Sequence, residues 1–295
     1  MRVNPNPMPD LLAALNQSKL ATQQATLELS TDRSVNQPSD NPNNAALLVV
    51  NNDQATFNAG YLQSISAVQG QLSTADSTLS SVVAALQQAT NLGIEAANGT
   101  MSDADRAAIA VELQGIQSQL VSLANSSYEG RFVFAGTMTD KAPFVADNAI
   151  PPNVTYVGNA VVNKVSIGSG YQLNVNLPGS QLFSEPGSDV FSAVNNLIQQ
   201  VQTNGDIADA VTAVGTASSY LSAQRAFYGN ALNQADSQTT YLNTAKLQLA
   251  QQQNTLGAAD LAAAASDLTQ SQLNTQATLA TMSKMTQNDL FDYLK

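Results

Sequence analysis

The chain has 295 residues and a formal charge of −11, from 22 acidic and 11 basic side chains, and it contains no cysteine, histidine or tryptophan. The missing cysteine and histidine exclude disulfides, thiolate metal sites and Ser-His or Cys-His nucleophiles. The acidic balance removes the electrostatic basis for binding nucleic acid or an anionic membrane, so neither partner is expected.

The first predicted element is a helix over residues 8–29 with a thin apolar stripe. Its stripe positions recur at spacings of three and four, but three of the seven are Ser, Thr or Ala. Isolated helices depend on tertiary packing, so this one should be marginal alone and stable only against a partner. The stripe comprises Met8, Leu11, Leu15, Ser18, Thr22, Ala25 and Leu29.

A dense cluster of helix breakers follows at residues 38–42, Pro-Ser-Asp-Asn-Pro. This composition predicts an ordered turn or an extended linker. The next helix is predicted over residues 45–57, with Asn43 or Ser39 as its cap.

Residues 58–97 carry the longest periodic pattern of the chain. Apolar residues recur at alternating spacings of four and three, which predicts one long helix whose stripe is covered by other helices. At about 1.5 Å per residue this helix is on the order of 60 Å long, which favours an elongated bundle. The predicted core stripe includes Ile65, Val68, Leu72, Leu79, Val82 and Leu86.

A shorter helix and a β-rich module should follow the long helix. Ser102 and Asp105 form a Ser-x-x-Asp helix start, and the helix after them should run antiparallel to the long one. From Gly130 the pattern changes to short alternating runs separated by Gly, Pro, Asn and Asp. These runs occupy residues 131–134, 154–157, 164–167 and 173–177.

The last third of the chain returns to helix. One helix should start at Ser188, and a long helical stretch should run from residue 207 to about residue 253. After Gly257 a diluted seam restarts, and the final residues are apolar. The seam positions are Ala258, Leu261, Ala265, Leu268, Gln272, Thr275, Leu279 and Met282, and the apolar end contains Leu290, Phe291 and Leu294.

The fold class expected from these patterns is mainly α with a small β insertion, as a bundle of long antiparallel helices with coiled-coil ends. Residues 1–42 should form an N-terminal assembly helix paired with a C-terminal one over 245–295. Residues 43–135 and 186–244 should form the helical core, and residues 136–185 an outer β-rich domain.

The two chain ends are expected to pair with each other and then to pack between copies of the chain. A two-stranded coil of such thin seams would still leave apolar surface exposed, and further copies of the same pair could cover it. The predicted assembly interface consists of Met8, Leu11, Leu15, Leu29, Leu261, Leu268, Leu279, Met282, Leu290, Phe291 and Leu294.

Two pairs of carboxylates raise the possibility of hydrolysis or metal binding. Asp40 with Asp53 and Asp103 with Asp105 are better interpreted as helix caps and turn residues, because no pocket or further acid accompanies them. We therefore expect no catalytic residue, no metal site and no cofactor.

Four motifs in order resemble those of the bacterial flagellin family. Residues 29–42, Leu-Ser-Thr-Asp-Arg-Ser-Val-Asn-Gln-Pro-Ser-Asp-Asn-Pro, resemble its signature loop, with Asp32 where the family usually has Gly and Asn41 where it has a second Asp. Residues 86–100 and 128–137 resemble two further family segments, and residues 1–3 and 290–294 resemble FlgL-type hook-filament junction proteins. The loop residues that match are Arg33, Asn36, Pro38, Ser39, Asp40 and Pro42.

The resemblance implies a flagellin-like fold and a structural, non-catalytic axial component of the flagellum that joins hook to filament. It implies assembly with copies of itself, contacts with an adjacent hook-associated protein and filament flagellin, and an export chaperone on residues 256–295. It also implies type III export to the extracellular flagellum without a cleaved signal peptide. Two alternatives stay open: a short filament flagellin, and an adhesin or carboxylate-dependent hydrolase that works through the β module.

Overall fold

The computed structural model describes residues 8–292, with side chains through residue 285. The features expected at residues 1–3 and at Leu294 lie outside the described residues, as do the side chains of Leu290 and Phe291. The helices are α1 (Met8–Thr31), α2 (Pro42–Ala96), α3 (Asp103–Ala124), α4 (Gly179–Phe183), α5 (Val190–Thr203), α6 (Ile207–Gly257) and α7 (Leu261–Asp292). The strands are β1 (Ser127–Tyr128), β2 (Arg131–Phe132), β3 (Phe144–Ala146), β4 (Val154–Tyr156), β5 (Lys164–Gly168) and β6 (Tyr171–Asn174).

The chain divides into two compact units. Among the described residues, unit 1 contains 8–57 and 244–292, and unit 2 contains 58–243. The long helices α2 and α6 therefore each contribute one part to unit 1 and another to unit 2.

In unit 1, α1 packs along α7. The loop after α1 pairs with the turn between α6 and α7 through an antiparallel bridge between Arg33 and Ala258. Beside this bridge, the Ser34 N–H donates to the Gly257 carbonyl at 2.8 Å. The side-chain amide of Asn44 donates to the Leu256 carbonyl at 3.0 Å, which fastens the start of α2 to the end of α6.

In unit 2, the apolar stripe of α2 lies inside one continuous core that also includes α3, α5 and α6. All six stripe residues named from the sequence are at most 4% exposed. On one side of the core, α3 packs against α5. The bidentate pair of Arg225 on α6 with Asp76 on α2, at 2.9 and 3.0 Å, joins these helices at the edge of the core.

The β region of unit 2 consists of three two-stranded antiparallel sheets, β1–β2, β3–β4 and β5–β6, in the part of the chain that the structure describes. Of the predicted runs, 154–157 and 164–167 correspond to β4 and β5, and 173–177 begins inside β6. The run 131–134 was predicted too long, because β2 ends at Phe132. The next residues turn inward, and Phe134 joins an aromatic cluster with Phe183 and Phe144.

Two predictions about the start of α2 are wrong. The segments 45–57 and 58–97 form one helix, because nothing between them interrupts helical hydrogen bonding. Its cap is neither Asn43 nor Ser39. The side chain of Asn41 accepts the Asn44 N–H at 3.1 Å, and Pro42 takes the first helical position, where its missing N–H costs nothing.

The predicted helix start at Ser102 is confirmed as a capping box. The Ser102 hydroxyl accepts the Asp105 N–H at 3.2 Å, and the Asp105 carboxylate accepts the Ser102 N–H and hydroxyl. The hydrogen bond from the Ser102 hydroxyl, and to a smaller extent that from the Ser102 backbone N–H, lowers the pKa of Asp105 below its usual value. The helix expected from Ser188 begins two residues later, with Asp189 as its cap.

Candidate assembly surfaces

The family-signature loop between α1 and α2 is fixed by its own polar side chains. The Asp40 carboxylate accepts the N–H groups of Asn36 and Gln37 at 2.9 and 2.8 Å. The Asn36 amide in turn donates to the Arg33 carbonyl at 2.8 Å. Pro38 and Ser39 lie in the turn that these bonds close, so the loop is an ordered connection.

Asp32 explains why the signature has glycine at this position. Its φ is +57°, in the left-handed region that glycine enters freely and that aspartate tolerates better than most side chains. In this conformation its carbonyl accepts the Ala259 N–H at 3.3 Å, so the reversal after α1 is compatible with aspartate.

Small and hydroxyl side chains line the seam between α1 and α7. Leu15 and Ala25 are buried on α1, and Ala264 and Ser271 are buried on α7. The Thr22 hydroxyl donates to the Ser271 hydroxyl at 3.0 Å across the seam. Small side chains let the two helices approach closely, but they bury little apolar area.

The structure places the predicted interface residues at three levels of burial. Leu15 is buried, whereas Met8, Leu11, Leu29, Leu268 and Met282 are half-buried in or beside the seam. Leu261 and Leu279 are 47% and 49% exposed. Of the seam frame predicted for α7, Leu268, Thr275 and Met282 are half-buried, whereas Leu261, Ala265, Gln272 and Leu279 are exposed, because the helix buries Ala264 and Ser271 instead.

Several large apolar side chains of unit 1 point to solvent. On α1 these are Leu12, Leu20 and Leu27, at 46%, 66% and 39% exposure, and on α7 they include Leu273 at 55%. Others lie on the unit 1 parts of α2 and α6. They are Leu47, Val49, Val50, Phe57 and Leu247.

The sequence reasoning did not identify this outward set. Leu12, Leu20 and Leu27 recur at spacings of eight and seven, a repeat that could have been recognised as a second stripe on the first helix.

Carboxylate pairs in the described residues serve structural roles. Asp103 forms an ion pair with Arg106, and Asp105 belongs to the capping box. Asp40 closes the signature loop, and Asp53 is exposed on α2. Between residues 8 and 285, no group of three or more metal-binding side chains occurs. No described helix is both long enough and apolar enough to cross a bilayer.

Comparison with known proteins finds relatives among flagellar proteins. The model of the bacterial flagellin N-terminal helical region matches residues 7–139. Flagellar hook-associated protein 3 of Escherichia coli is 30% identical over 190 residues, which cover 64% of this chain and 58% of that protein. Its counterpart in Salmonella typhimurium is 42% identical over 118 residues, 40% of this chain and 37% of that protein.

The chain is similar to the bacterial flagellin family over residues 7–139. Both curated relatives carry the name flagellar hook-associated protein 3. The crystal structure of FlgL from Xanthomonas campestris has the same fold, with a TM-score of 0.58 and 20% identity over 66% of this chain and 98% of that one. The predicted fold class, mainly α with a small β insertion and flagellin-like, is confirmed.

The matches to the curated relatives span less than two thirds of those proteins, 58% and 37% of their lengths. Both relatives are named as flagellar proteins, in line with the expectation that the chain has no catalytic residue.

Proposed function

We propose that this protein is a FlgL-type member of the flagellin family, a structural, axial component of the bacterial flagellum that joins the hook to the filament. In this role it assembles with copies of itself through the paired helices α1 and α7 and contacts an adjacent hook-associated protein and filament flagellin. Its location is the extracellular flagellum. The names of its relatives support a flagellar role, and the surface of unit 1 supports assembly.

One observation carries the assembly part of this proposal. Small and hydroxyl side chains outnumber leucines among the buried positions between α1 and α7, where Leu15 is the one buried leucine of the described residues, while Leu12, Leu20 and Leu273 point to solvent. A monomeric domain gains stability by the opposite arrangement, with leucines inside. The outward leucines therefore suit helices that are completed by other subunits.

The resemblance to the family also supports an export role for the C-terminal region. We propose that an export chaperone binds residues 256–295, where α7 presents its half-exposed Leu261 and Leu279. Bound chaperone would shield these side chains before assembly.

A deletion strain of the source bacterium tests the junction role. Such a strain should make hooks but release flagellin into the medium, and the wild-type gene should restore filaments. A deletion strain that keeps normal filaments would overturn the proposal. If a chain lacking residues 136–185 keeps the helical fold in circular dichroism, it should still restore filaments, whereas loss of function in such a folded chain would favour a role carried by the β region.

A further inference from the structure

A groove in unit 1 runs between the start of α2 and the end of α6. It encloses about 1020 Å³ and is lined by apolar side chains, among them Leu47, Val50, Leu249 and Leu256. Amides and one hydroxyl form the rest of the lining, and the residues that line the groove carry no charge. Val50 is 64% exposed and Leu47 51%, so a large part of the apolar wall faces solvent.

The side chain of Asn51 lines the groove with one polar atom unsatisfied. Its amide nitrogen donates to the Gln252 side-chain oxygen at 2.9 Å. Its Oδ1 atom is buried and has no hydrogen-bond partner, although the residue is only 5% exposed. A buried acceptor without a donor is costly and rare in folded proteins, so Asn51 would gain a hydrogen bond by turning its Oδ1 towards a donor brought into the groove.

A matching row lies on the outward face of α1. At about 100° per residue, Leu12, Asn16, Leu20 and Leu27 fall within a sector of about 80°, on the side away from α7. The three leucines are 39–66% exposed. Asn16 is exposed between two of them, one helical turn from each, and can offer its amide N–H groups.

We propose that the leucine row of α1 in one copy of the chain docks into the α2–α6 groove of the next copy, with the Asn16 amide donating to Asn51 Oδ1. This inference rests on the proposed function, because it specifies the contact by which the subunits assemble. The two surfaces differ, so the contact is head-to-tail and generates a ring or a helix of subunits.

Charge favours a second copy as the occupant of the groove. Two chains that each carry −11 repel over most of their surfaces. The groove lining is uncharged, and so are the four residues of the row. Contact between these faces buries apolar area without placing like charges together.

The absence of cysteine in the chain allows a direct test by cross-linking. One preparation carries Leu12→Cys or Leu20→Cys, a second carries Val50→Cys, and the two are mixed so that only intermolecular disulfides form. The matched control replaces Val50→Cys with Val111→Cys, which lies on α3 and is 65% exposed against 64% for Val50. Assembly is followed in the same samples by sedimentation under reducing conditions.

We expect the Val50→Cys chain to form disulfides with the Leu12→Cys or the Leu20→Cys chain in a yield well above that of the Val111→Cys control. A disulfide needs the two Cβ atoms within about 4.5 Å, so a high yield reports that the two positions are close. Asn16→Ala should also raise the concentration needed for half-assembly about tenfold, whereas Gln17→Ala, on another face of α1, should leave it unchanged. Normal assembly with no cross-link above the control would overturn this contact and leave the proposed function intact. Failure of the unmodified chain to assemble at any concentration would overturn this contact and the proposed self-assembly, while the deletion strain tests the junction role separately.

Discussion

Replacing Leu20 with glutamine should weaken assembly and leave the isolated subunit nearly unchanged. Glutamine and leucine have similar helix propensities, and Leu20 is already 66% exposed, so the folded monomer loses little buried area. Full burial of a leucine contributes about 1.5–3 kcal/mol, and about two thirds of that remains to be gained in the assembly. The substitution should therefore cost about 1–2 kcal/mol per contact, or roughly fivefold to thirtyfold in the assembly concentration.

The assay compares Leu20→Gln with Val111→Gln, which removes an equally exposed side chain from unit 2. Thermal unfolding of both variants at low concentration should match that of the wild type, while sedimentation should show weaker assembly for Leu20→Gln alone. Equal assembly of the two variants would refute the assignment of the outward leucines to subunit contacts. A large loss of monomer stability in Leu20→Gln would show instead that this leucine already packs inside the subunit.

Two further predictions concern unit 2. Gly60→Ala meets nothing within 4 Å and should stabilise the protein by about 0.5–1 kcal/mol in denaturant unfolding. Gly70→Ala on the same helix gains the same propensity, but its Cβ would lie 2.2 Å from the Tyr128 hydroxyl, so it should be about 1–3 kcal/mol less favourable than Gly60→Ala. Equal effects would contradict the close approach of Tyr128. Hydrogen bonds from the Asn153 side chain, and to a smaller extent from backbone N–H groups, lower the pKa of Asp147. The ionised Asp147 carboxylate therefore contributes to folding stability above about pH 4, and this contribution is lost as the pH falls through the lowered folded-state pKa. NMR titration of Asp147 should give a pKa below that of aspartate in a model peptide. The Asp147→Asn substitution should remove this part of the pH dependence of stability. An ordinary pKa for Asp147 would refute the hydrogen bonds with Asn153.

The helices could be predicted from the sequence because long regular patterns decide them locally. The stripe of α2 and the capping box before α3 are examples, since each depends on residues a few positions apart. The strands were harder to predict. Phe134 has strand-like neighbours, but it packs against Phe183, 49 residues later in sequence, and such distant contacts leave no periodic signal.

The assembly surfaces could be predicted only in part. The thin seam of α1 was visible, because leucines are sparse in it. The frame of α7 was not, because a sequence rich in alanine and serine supports several frames with similar apolar content, and close packing against α1 selects Ala264 and Ser271. The unsatisfied oxygen of Asn51 depends on tertiary packing, so the sequence gives no indication of it.

Helix α2 begins among weakly packed neighbours and ends in a dense core. Over residues 42–57 its one fully buried side chain is Asn51, whereas from Ile65 onward it buries a residue on nearly every turn. Backbone amides along this single helix should therefore exchange with deuterium at very different rates, fast by local opening near Pro42 and only on global unfolding around Leu79. Binding of another subunit to unit 1 would then be detected as slower exchange confined to the first turns of α2.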